Sequence, residues 1–170
     1  MPRRSLTYEE VCLPLKTYLL DEIREIVEKT KETGLEHGFS VCKLDDKLEA
    51  GPICTGTECY VDIEKCKRGE KVGEVHTHPN SVTFSAVDIY NAIREGLEFT
   101  CVARPTGYVE CLYIPPLRRR EDAKEYVEEW VHYEEACREG NPFACGIAKD
   151  MSKDFMQLVK RHHLHCWFKV

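Results

Sequence analysis

Apolar residues recur along this chain at two different spacings, which predict where helices and strands lie. From Leu15 through Ile23 to Val27 they recur every three or four positions, with charged residues between them. That period is typical of an amphipathic helix, and Gly34 is placed to end it as a C-cap. Residues 1–13 show no clear period, so we expect an irregular lead-in there.

Alternating and β-branched stretches predict strands at residues 39–44, 53–61, 72–78, 99–103, 108–114 and 166–170. Helical periodicity returns at residues 89–95, 121–139 and 143–161. Helices and strands therefore alternate in the order α, β, β, β, α, β, β, α, α, β. This order predicts an α/β fold, in which a mixed β-sheet is flanked by helices.

The chain has 170 residues, enough for one well-packed domain and short for two. We therefore expect a single domain over residues 1–170, with a core at about 14–115 and a C-terminal helical extension at 116–170. The formal net charge is −6, which does not favour a nucleic-acid partner. No apolar run reaches membrane-spanning length and no signal-like segment is present, so we expect a cytoplasmic protein with no membrane partner.

Ten cysteines are many for such a protein, and none forms a Cys-x-x-Cys pair. That spacing argues against a zinc ribbon and against a thioredoxin-like motif. We expect most of the cysteines to be buried small apolar residues. Two pairs flank turns and could cross-link a hairpin: Cys54 with Cys59, and Cys101 with Cys111.

The side chains best suited to bind a metal or to act in catalysis are concentrated in residues 73–88, which read GEVHTHPNSVTFSAVD. A strand sends every second side chain to one face, so His76 and His78 point the same way. Ser85 is a good helix N-cap, which places Asp88 in the first helical turn, facing back toward the strand end. Two imidazoles and a carboxylate then converge and leave a fourth position open, as a catalytic zinc requires.

Each half of this pattern also has a simpler interpretation. A Ser-x-x-Asp sequence at a helix start is more often a variant of the capping box than a catalytic element. A His-x-His pair is harder to explain in that way, because two adjacent imidazoles in a core need two separate partners. The two halves together favour a metal site.

The stretch resembles the JAMM (MPN+) metallopeptidases, whose signature is an upstream glutamate, His-x-His-Pro and Ser-x-x-Asp. The resemblance implies that His76, His78 and Asp88 hold one Zn²⁺ per chain and that Ser85 steadies a tetrahedral oxyanion. It also implies a three-layer α/β fold, here with added C-terminal helices. The implied substrate is an isopeptide bond between lysine and ubiquitin or a ubiquitin-like modifier. The segment between His78 and Ser85 is one residue shorter than the family pattern.

A zinc peptidase also needs a group that takes a proton from water and returns it to the leaving amine. In the resembling family a glutamate lies between the first helix and a glycine-containing strand, and Glu36 matches that place before Gly38. Glu74 competes for the role, because it lies two residues before His76 on the same strand face. It could instead orient an imidazole.

Three other interpretations remain open. One is a non-catalytic scaffold of the same fold that binds a modifier or a partner protein without cutting it. Another is an unrelated His-x-His hydrolase, either an amidohydrolase barrel or a metallo-β-lactamase fold; the barrel needs a longer chain. A second metal site is conceivable near the C-terminus, although histidines at a helix end explain that segment equally simply, at His162, His163, His165 and Cys166. The sequence predicts no oligomeric state.

Overall fold

The computed structural model describes residues 7–56 and 65–170. The described helices are a π-helix (Tyr8–Cys12), α1 (Leu13–Tyr18), α2 (Leu20–Thr33), α3 (Ala86–Glu95), α4 (Pro115–Arg118), α5 (Glu121–Arg138) and α6 (Pro142–Arg161). The described strands are β1 (His37–Leu44), β2 (Lys47–Ala50), β3 (Cys54–Thr55), β4 (Glu70–Thr77), β5 (Phe99–Ala103), β6 (Tyr108–Tyr113) and β7 (His165–Lys169).

The described strands form one mixed sheet in the order β2-β1-β4-β5-β6-β7, with β3 also paired to β1. Strands β4 and β5 run parallel because α3 crosses over between them. Every other described pair is antiparallel. The protein is therefore α/β with a mixed sheet, which confirms the predicted class. The crossover brings the carboxyl end of β4 and the amino end of α3 to one edge of the sheet.

Helices pack on both faces of the sheet. On one face the π-helix, α1 and α2 cover residues such as Phe39, with Leu15 fully buried between the layers. On the other face α3, α5 and α6 cover Val102, and Trp130 and Phe155 belong to the same apolar cluster. The helices after residue 116 therefore complete one side of the core. Within the described ranges, no helix combines the length and apolar character needed to cross a bilayer.

The N-terminal region differs from the predicted lead-in followed by one continuous helix. The described part of residues 1–13 is helical, as the π-helix followed by the first turn of α1. Leu19, with φ −124°, interrupts the helix that was predicted to be continuous. The predicted C-cap is confirmed, because Gly34 adopts φ 69° and donates its amide to Thr30 O at 2.8 Å.

Two differences concern the sheet edge. Residues 47–50, where the sequence pattern predicts no strand, form β2 and pair with β1 through a tight turn at Asp45, which has φ 55°. Short charged edge strands carry little apolar alternation, so the sequence pattern missed this one. In the strand predicted over residues 53–61, the described part is extended only at Cys54–Thr55, and residues 57–64 lie outside the description.

Most cysteines are expected to be buried small apolar residues, and five are buried, but all five take part in disulfides: Cys12, Cys42, Cys101, Cys111 and Cys166. Four disulfides join described residues: Cys12–Cys166, Cys42–Cys66, Cys101–Cys111 and Cys137–Cys145. The bond between Cys101 and Cys111 confirms one suggested hairpin cross-link, whereas Cys59 lies outside the described residues. The bonds Cys12–Cys166 and Cys42–Cys66 depend on contacts between distant segments, whereas Cys137–Cys145 joins the last turn of α5 to the first turn of α6 across 8 residues. Multiple disulfides are typical of oxidising compartments and of hyperthermophile proteins.

Two of these disulfides lie side by side beneath the π-helix. On the sheet, Cys111 pairs in register with Cys101 on one side and with Cys166 on the other. The sulfur atoms of Cys12, Cys111 and Cys166 all lie within 4.8 Å of one another. Metals bind thiolates and not disulfide sulfurs, so this oxidised cluster is not a metal site. The bond between Cys12 and Cys166 instead links the π-helix covalently to β7.

We expect the disulfides to differ in their contribution to stability. The loop-entropy relation gives roughly 5 kcal/mol for the sequence separation of 154 residues between Cys12 and Cys166, an upper figure because other cross-links lie inside that loop. It gives roughly 2–3 kcal/mol for the separation of 8 residues between Cys137 and Cys145. Replacing each pair by alanines and measuring denaturant unfolding tests this order. Equal losses would contradict it.

Candidate metal centre

The end of β4 fixes the two histidines of the predicted site. Both side chains lie on one face of the sheet, and each residue is 6% exposed. Backbone pairing with β5 continues past the strand end, because His78 N donates to Ala103 O at 3.0 Å. The sheet therefore holds His76 and His78 in a defined orientation relative to each other.

A glycine on the neighbouring strand makes this arrangement possible. Gly38 on β1 faces His76 in register. A Cβ at residue 38 would lie 2.8 Å from His76 Cβ and 2.8 Å from Val75 O, closer than such contacts normally come. Any side chain here would push β4 away and move the imidazole.

The start of α3 brings the carboxylate to the histidines. Ser85 is the N-cap, and its Oγ accepts from Asp88 N at 3.2 Å. In return, Asp88 Oδ2 accepts from Ser85 N at 2.9 Å, which completes a capping box. The simpler interpretation of Ser-x-x-Asp is therefore correct as local structure. It does not compete with a metal site, because the same carboxylate also faces both imidazoles.

Three potential ligand atoms form a compact triangle. The Nε2 atoms of His76 and His78 are 3.1 Å apart. Asp88 Oδ1 is 3.2 Å from His76 Nε2, and Asp88 Oδ2 is 3.3 Å from His78 Nε2. Tetrahedral zinc with ligands at about 2.0–2.1 Å has ligand–ligand separations of roughly 3.3 Å. The buried group can therefore hold a metal ion of that kind with little movement of its side chains.

The electrostatics of the group also favour a cation. Burial lowers the pKa of His76, but the Asp88 carboxylate, with smaller contributions from Glu36 and Glu74, raises it overall to about 9. Burial raises the pKa of Asp88, but the charge and hydrogen bonding of His76 and then His78 lower it well below its usual range. A carboxylate with this environment is ionised at neutral pH. Positive charge on the imidazole side, from a proton or from a metal, balances it.

The loop before α3 sets the tautomer of the second histidine. His78 Nδ1 is 3.0 Å from Val82 O, so Nδ1 carries the ring proton and Nε2 keeps its lone pair for a metal. The loop turns sharply at Ser81, which adopts φ 57° and donates its amide to His78 O at 3.1 Å. The segment that is one residue shorter than the resembling pattern thus still delivers Ser85 to the site.

The predicted proton shuttle lies on the open side of the group. Glu36 Oε1 is 4.0 Å from His78 Nε2, and its side chain is 32% exposed, so it can contact water. Its carbonyl accepts from Gly56 N at 2.6 Å. The next amide, His37 N, donates to Thr77 Oγ1 at 2.9 Å. Because Thr77 lies between the two histidines in β4, one strand positions both the candidate ligands and the candidate base.

The competing glutamate is engaged elsewhere. Glu74 Oε1 lies 2.5 Å from Lys71 Nζ, and the same ammonium lies 3.0 Å from Glu95 Oε2. The negative charge of Glu74 makes only a small contribution to the raised pKa of His76. The geometry therefore favours Glu36 for proton transfer.

One supporting residue that the sequence pattern did not single out is Glu134 on α5. Both of its carboxylate oxygens lie 3.0 Å from Ala86 N, the first helical amide of α3. It thus satisfies a free donor at the positive end of the helix that carries Asp88. Burial raises its pKa, the bond from Ala86 N lowers it, and the charge of Asp88 raises it again, so the net shift is upward. Nothing in the glutamate-rich sequence of α5 separates Glu134 from its solvated neighbours.

A second supporting residue is Glu110, which is 2% exposed on β6. The Thr83 hydroxyl donates to it and thereby ties the loop before α3 to the sheet. His165 Nε2 and Arg104 Nη2 also lie 3.4 and 3.5 Å from its oxygens. Burial raises its pKa, but these three partners lower it overall, so the carboxylate is charged. A glutamate inside the apolar run 108–114 was a signal that could have identified it.

The C-terminal histidines do not form a second centre. His165 contacts Glu110, Cys166 is in a disulfide, and His162 is the C-cap of α6. His163 adopts φ 58° in the turn that follows. Within residues 7–56 and 65–170, no candidate metal-ligating group includes His162, His163 or His165, and Cys166 belongs only to the disulfide-bonded sulfur cluster described above. The simpler interpretation, histidines at the end of a helix, therefore describes this segment.

Comparisons with known proteins add no relative to this picture. No protein-family model, curated protein or solved structure matches the chain. The chemistry of the centre therefore has to be inferred from its own geometry.

We expect zinc to bind one per chain and to displace a proton. With a pKa raised to about 9, His76 is protonated at pH 7 in the metal-free protein and must lose that proton to bind. Its raised pKa stabilises the metal-free fold below pH 6.5, and this contribution is lost as the pH rises through about 9. Calorimetry at pH 7 in buffers of different ionisation enthalpy should give nearly one proton released per zinc.

The control for zinc binding is Asp88→Asn, which keeps an oxygen for the capping box but removes the charge. This variant should lose zinc, while the helical content of the protein measured by circular dichroism stays unchanged. Full zinc occupancy in this variant, or binding without proton release, would contradict the three-ligand assignment.

We expect Glu134→Ala to weaken both the fold and the metal centre. Removing a half-buried carboxylate from a backbone donor should cost about 1–2 kcal/mol of unfolding free energy. Zinc affinity, measured by competition with a chelating dye, should fall because α3 is held less firmly. Glu135→Ala, at an exposed neighbouring position, is the matched control and should change neither quantity.

Proposed function

We propose that this protein is a zinc-dependent metallopeptidase of the JAMM type that hydrolyses peptide or isopeptide bonds. The observation that carries the proposal is the buried triangle of His76, His78 and Asp88, with separations of 3.1–3.3 Å that suit tetrahedral zinc. Among residues 7–56 and 65–170, three protein ligands converge there, which leaves a fourth position for water or substrate. That number of ligands is typical of catalytic zinc and not of structural zinc.

The proposed reaction uses four kinds of group: the metal, its three ligands, the proton carrier Glu36 and the hydrogen-bond donor Ser85. Zinc, when bound, supplies a Lewis acid that activates water and polarises the scissile carbonyl. Glu36 accepts a proton and returns it to the leaving amine, a role supported by its position 4.0 Å from His78 Nε2 and by its partial exposure. His78 keeps its orientation through the bond from Nδ1 to Val82 O.

Ser85 is proposed to donate a hydrogen bond to the oxyanion. Its Oγ accepts from Asp88 N, which occupies a lone pair and leaves the hydroxyl hydrogen free to donate. The capping box fixes Oγ relative to the ligand Asp88, because both residues belong to the same first turn. A fixed donor is the kind that stabilises developing negative charge without reorganisation.

The proposed substrate is ubiquitin or a ubiquitin-like modifier attached to lysine. This part of the proposal comes from the resemblance of the motif to JAMM peptidases. The mixed sheet with helices on both faces is compatible with the three-layer fold of that family. The retention of all three ligands, with Glu36 beside them, argues against a non-catalytic scaffold. An amidohydrolase barrel does not fit the described sheet, whose order runs from β2 to β7 without closure.

The first test of the proposal is Glu36→Gln. The amide cannot accept and return a proton, so this variant should bind one zinc per chain and lose hydrolysis of a modifier–lysine isopeptide. Glu74→Gln is the matched control, because it removes the other carboxylate and should leave turnover within about twofold. Full turnover in the Glu36 variant would refute the assigned base. Absence of zinc in the wild type would refute the function itself.

The second test separates the two roles of Ser85. Ser85→Ala should lower kcat by roughly 10²–10³ with zinc content unchanged. Ser85→Thr keeps a capping hydroxyl and should retain most of the activity. If alanine and threonine variants lose equal activity, or if neither loses any, Ser85 acts only as a helix cap.

A further inference from the structure

A broad groove opens directly beside the candidate metal centre. It has a volume of about 1070 Å³ and is bordered on one side by the loop and helix start that carry Ser85. The other side is formed by α5 and α6. The groove is therefore built by the same C-terminal helices that cap α3 through Glu134.

The wall of this groove has a charge opposite to that of the whole chain. The protein carries a net charge of −6. Among the described lining residues, five are cationic (Arg104, Arg138, Lys149, Lys153 and Lys160) and two are carboxylates. Both carboxylates are already bound to internal donors, Glu110 by Thr83 and Glu134 by Ala86 N.

Three of the cations form a stripe along α6. At 3.6 residues per turn, Lys149, Lys153 and Lys160 lie within roughly 40° of one another around the helix axis. The two acidic residues of the same segment, Asp150 and Asp154, lie roughly 80° and 120° around the helix axis from the centre of that stripe. No described side chain forms an ion pair with the three lysines, and all three are exposed. In contrast, Lys71 on β4 has two carboxylate partners.

The floor between the two walls is apolar. It includes Val82, Phe84, Val87 and Met156, and Val82 is 49% exposed. An apolar floor with cations along one side suits a peptide whose acidic side chains alternate with apolar ones. A nucleic-acid backbone carries continuous charge and would leave this floor uncovered.

We propose that this groove binds an acidic, apolar-containing peptide segment of the protein substrate and directs it toward the metal centre. The inference rests on the proposed peptidase function, since it concerns the substrate of that site. The lysine stripe of α6 pairs with the acidic side chains, and the apolar floor receives the residues between them. Ser85 lies at the boundary of the groove and the metal centre, so a bound segment passes next to the groups proposed for hydrolysis.

The test uses a pair of fluorescein-labelled peptides of about twelve residues, one repeating Glu-Leu-Gly and the other Gln-Leu-Gly. Anisotropy titrations are made with the wild-type protein, once with added zinc and once with a chelator. We expect the acidic peptide to bind about tenfold or more tightly than the neutral one under both conditions. Because the titration with chelator requires no metal, a failure of the zinc proposal leaves this measurement intact, and a failure here leaves the zinc titration intact.

Charge-reversal variants locate the binding site. Lys149→Glu/Lys153→Glu/Lys160→Glu should weaken the acidic peptide by about tenfold or more. Lys16→Glu/Arg24→Glu/Lys31→Glu changes the net charge equally at exposed positions of α1 and α2, on the opposite face, and should change affinity by less than about twofold. Circular dichroism checks folding, and the single variant Lys153→Glu supplies a milder change if the triple variant unfolds.

Three results would overturn the proposal. Equal affinity for the acidic and neutral peptides would show that the lysines do not contribute. Equal weakening by the two reversal variants would show a response to net charge alone. Tighter binding of a labelled single-stranded oligonucleotide of matched charge would identify the groove as a general polyanion site.

Discussion

The Asp88 carboxylate is the group on which the rest of the candidate site depends. It accepts a hydrogen bond from the backbone amide of Ser85, which is half of a capping box, and it faces the imidazoles of His76 and His78. Burying a carboxylate is costly unless donors and positive charge surround it, and here both are supplied. One carboxylate therefore takes part both in the capping box that begins α3 and in the candidate ligand group.

The position of α3 is in turn controlled from outside the motif. Glu134 binds its first amide from α5, and Glu110 holds the preceding loop through Thr83. Both contacts are charged hydrogen bonds in partly or fully buried surroundings, where such bonds are strongest. The C-terminal helices therefore have two roles. Helix α5 holds the start of α3 through Glu134, and α6 forms the lysine-bearing wall of the groove.

Elements governed by local rules could be predicted from the sequence. Alternation placed His76 and His78 on one face, a serine N-cap placed Asp88 in the first turn, and Gly34 ended the first long helix in the left-handed conformation. These features depend on neighbours within a few residues, so the local sequence contains the necessary information.

What could not be predicted depends on contacts between distant segments. In sequence Glu134 resembles its solvated neighbours, and only the contact of α5 with α3 distinguishes it, while Cys12 and Cys166 are 154 residues apart. The edge strand β2 has too few apolar residues for its periodicity to show. Register across the sheet, which places Gly38 against His76, is likewise a tertiary property.

The bond between Cys12 and Cys166 makes nearly the whole fold a closed covalent loop, with its ends 154 residues apart in sequence. A pulling force applied at the two ends of the chain first loads the pairing of residues 167–169 with β6, and beyond those residues it passes through the sulfur–sulfur bond. The residues between Cys12 and Cys166 can therefore be drawn out into a linear strand only after a reductant has opened the loop.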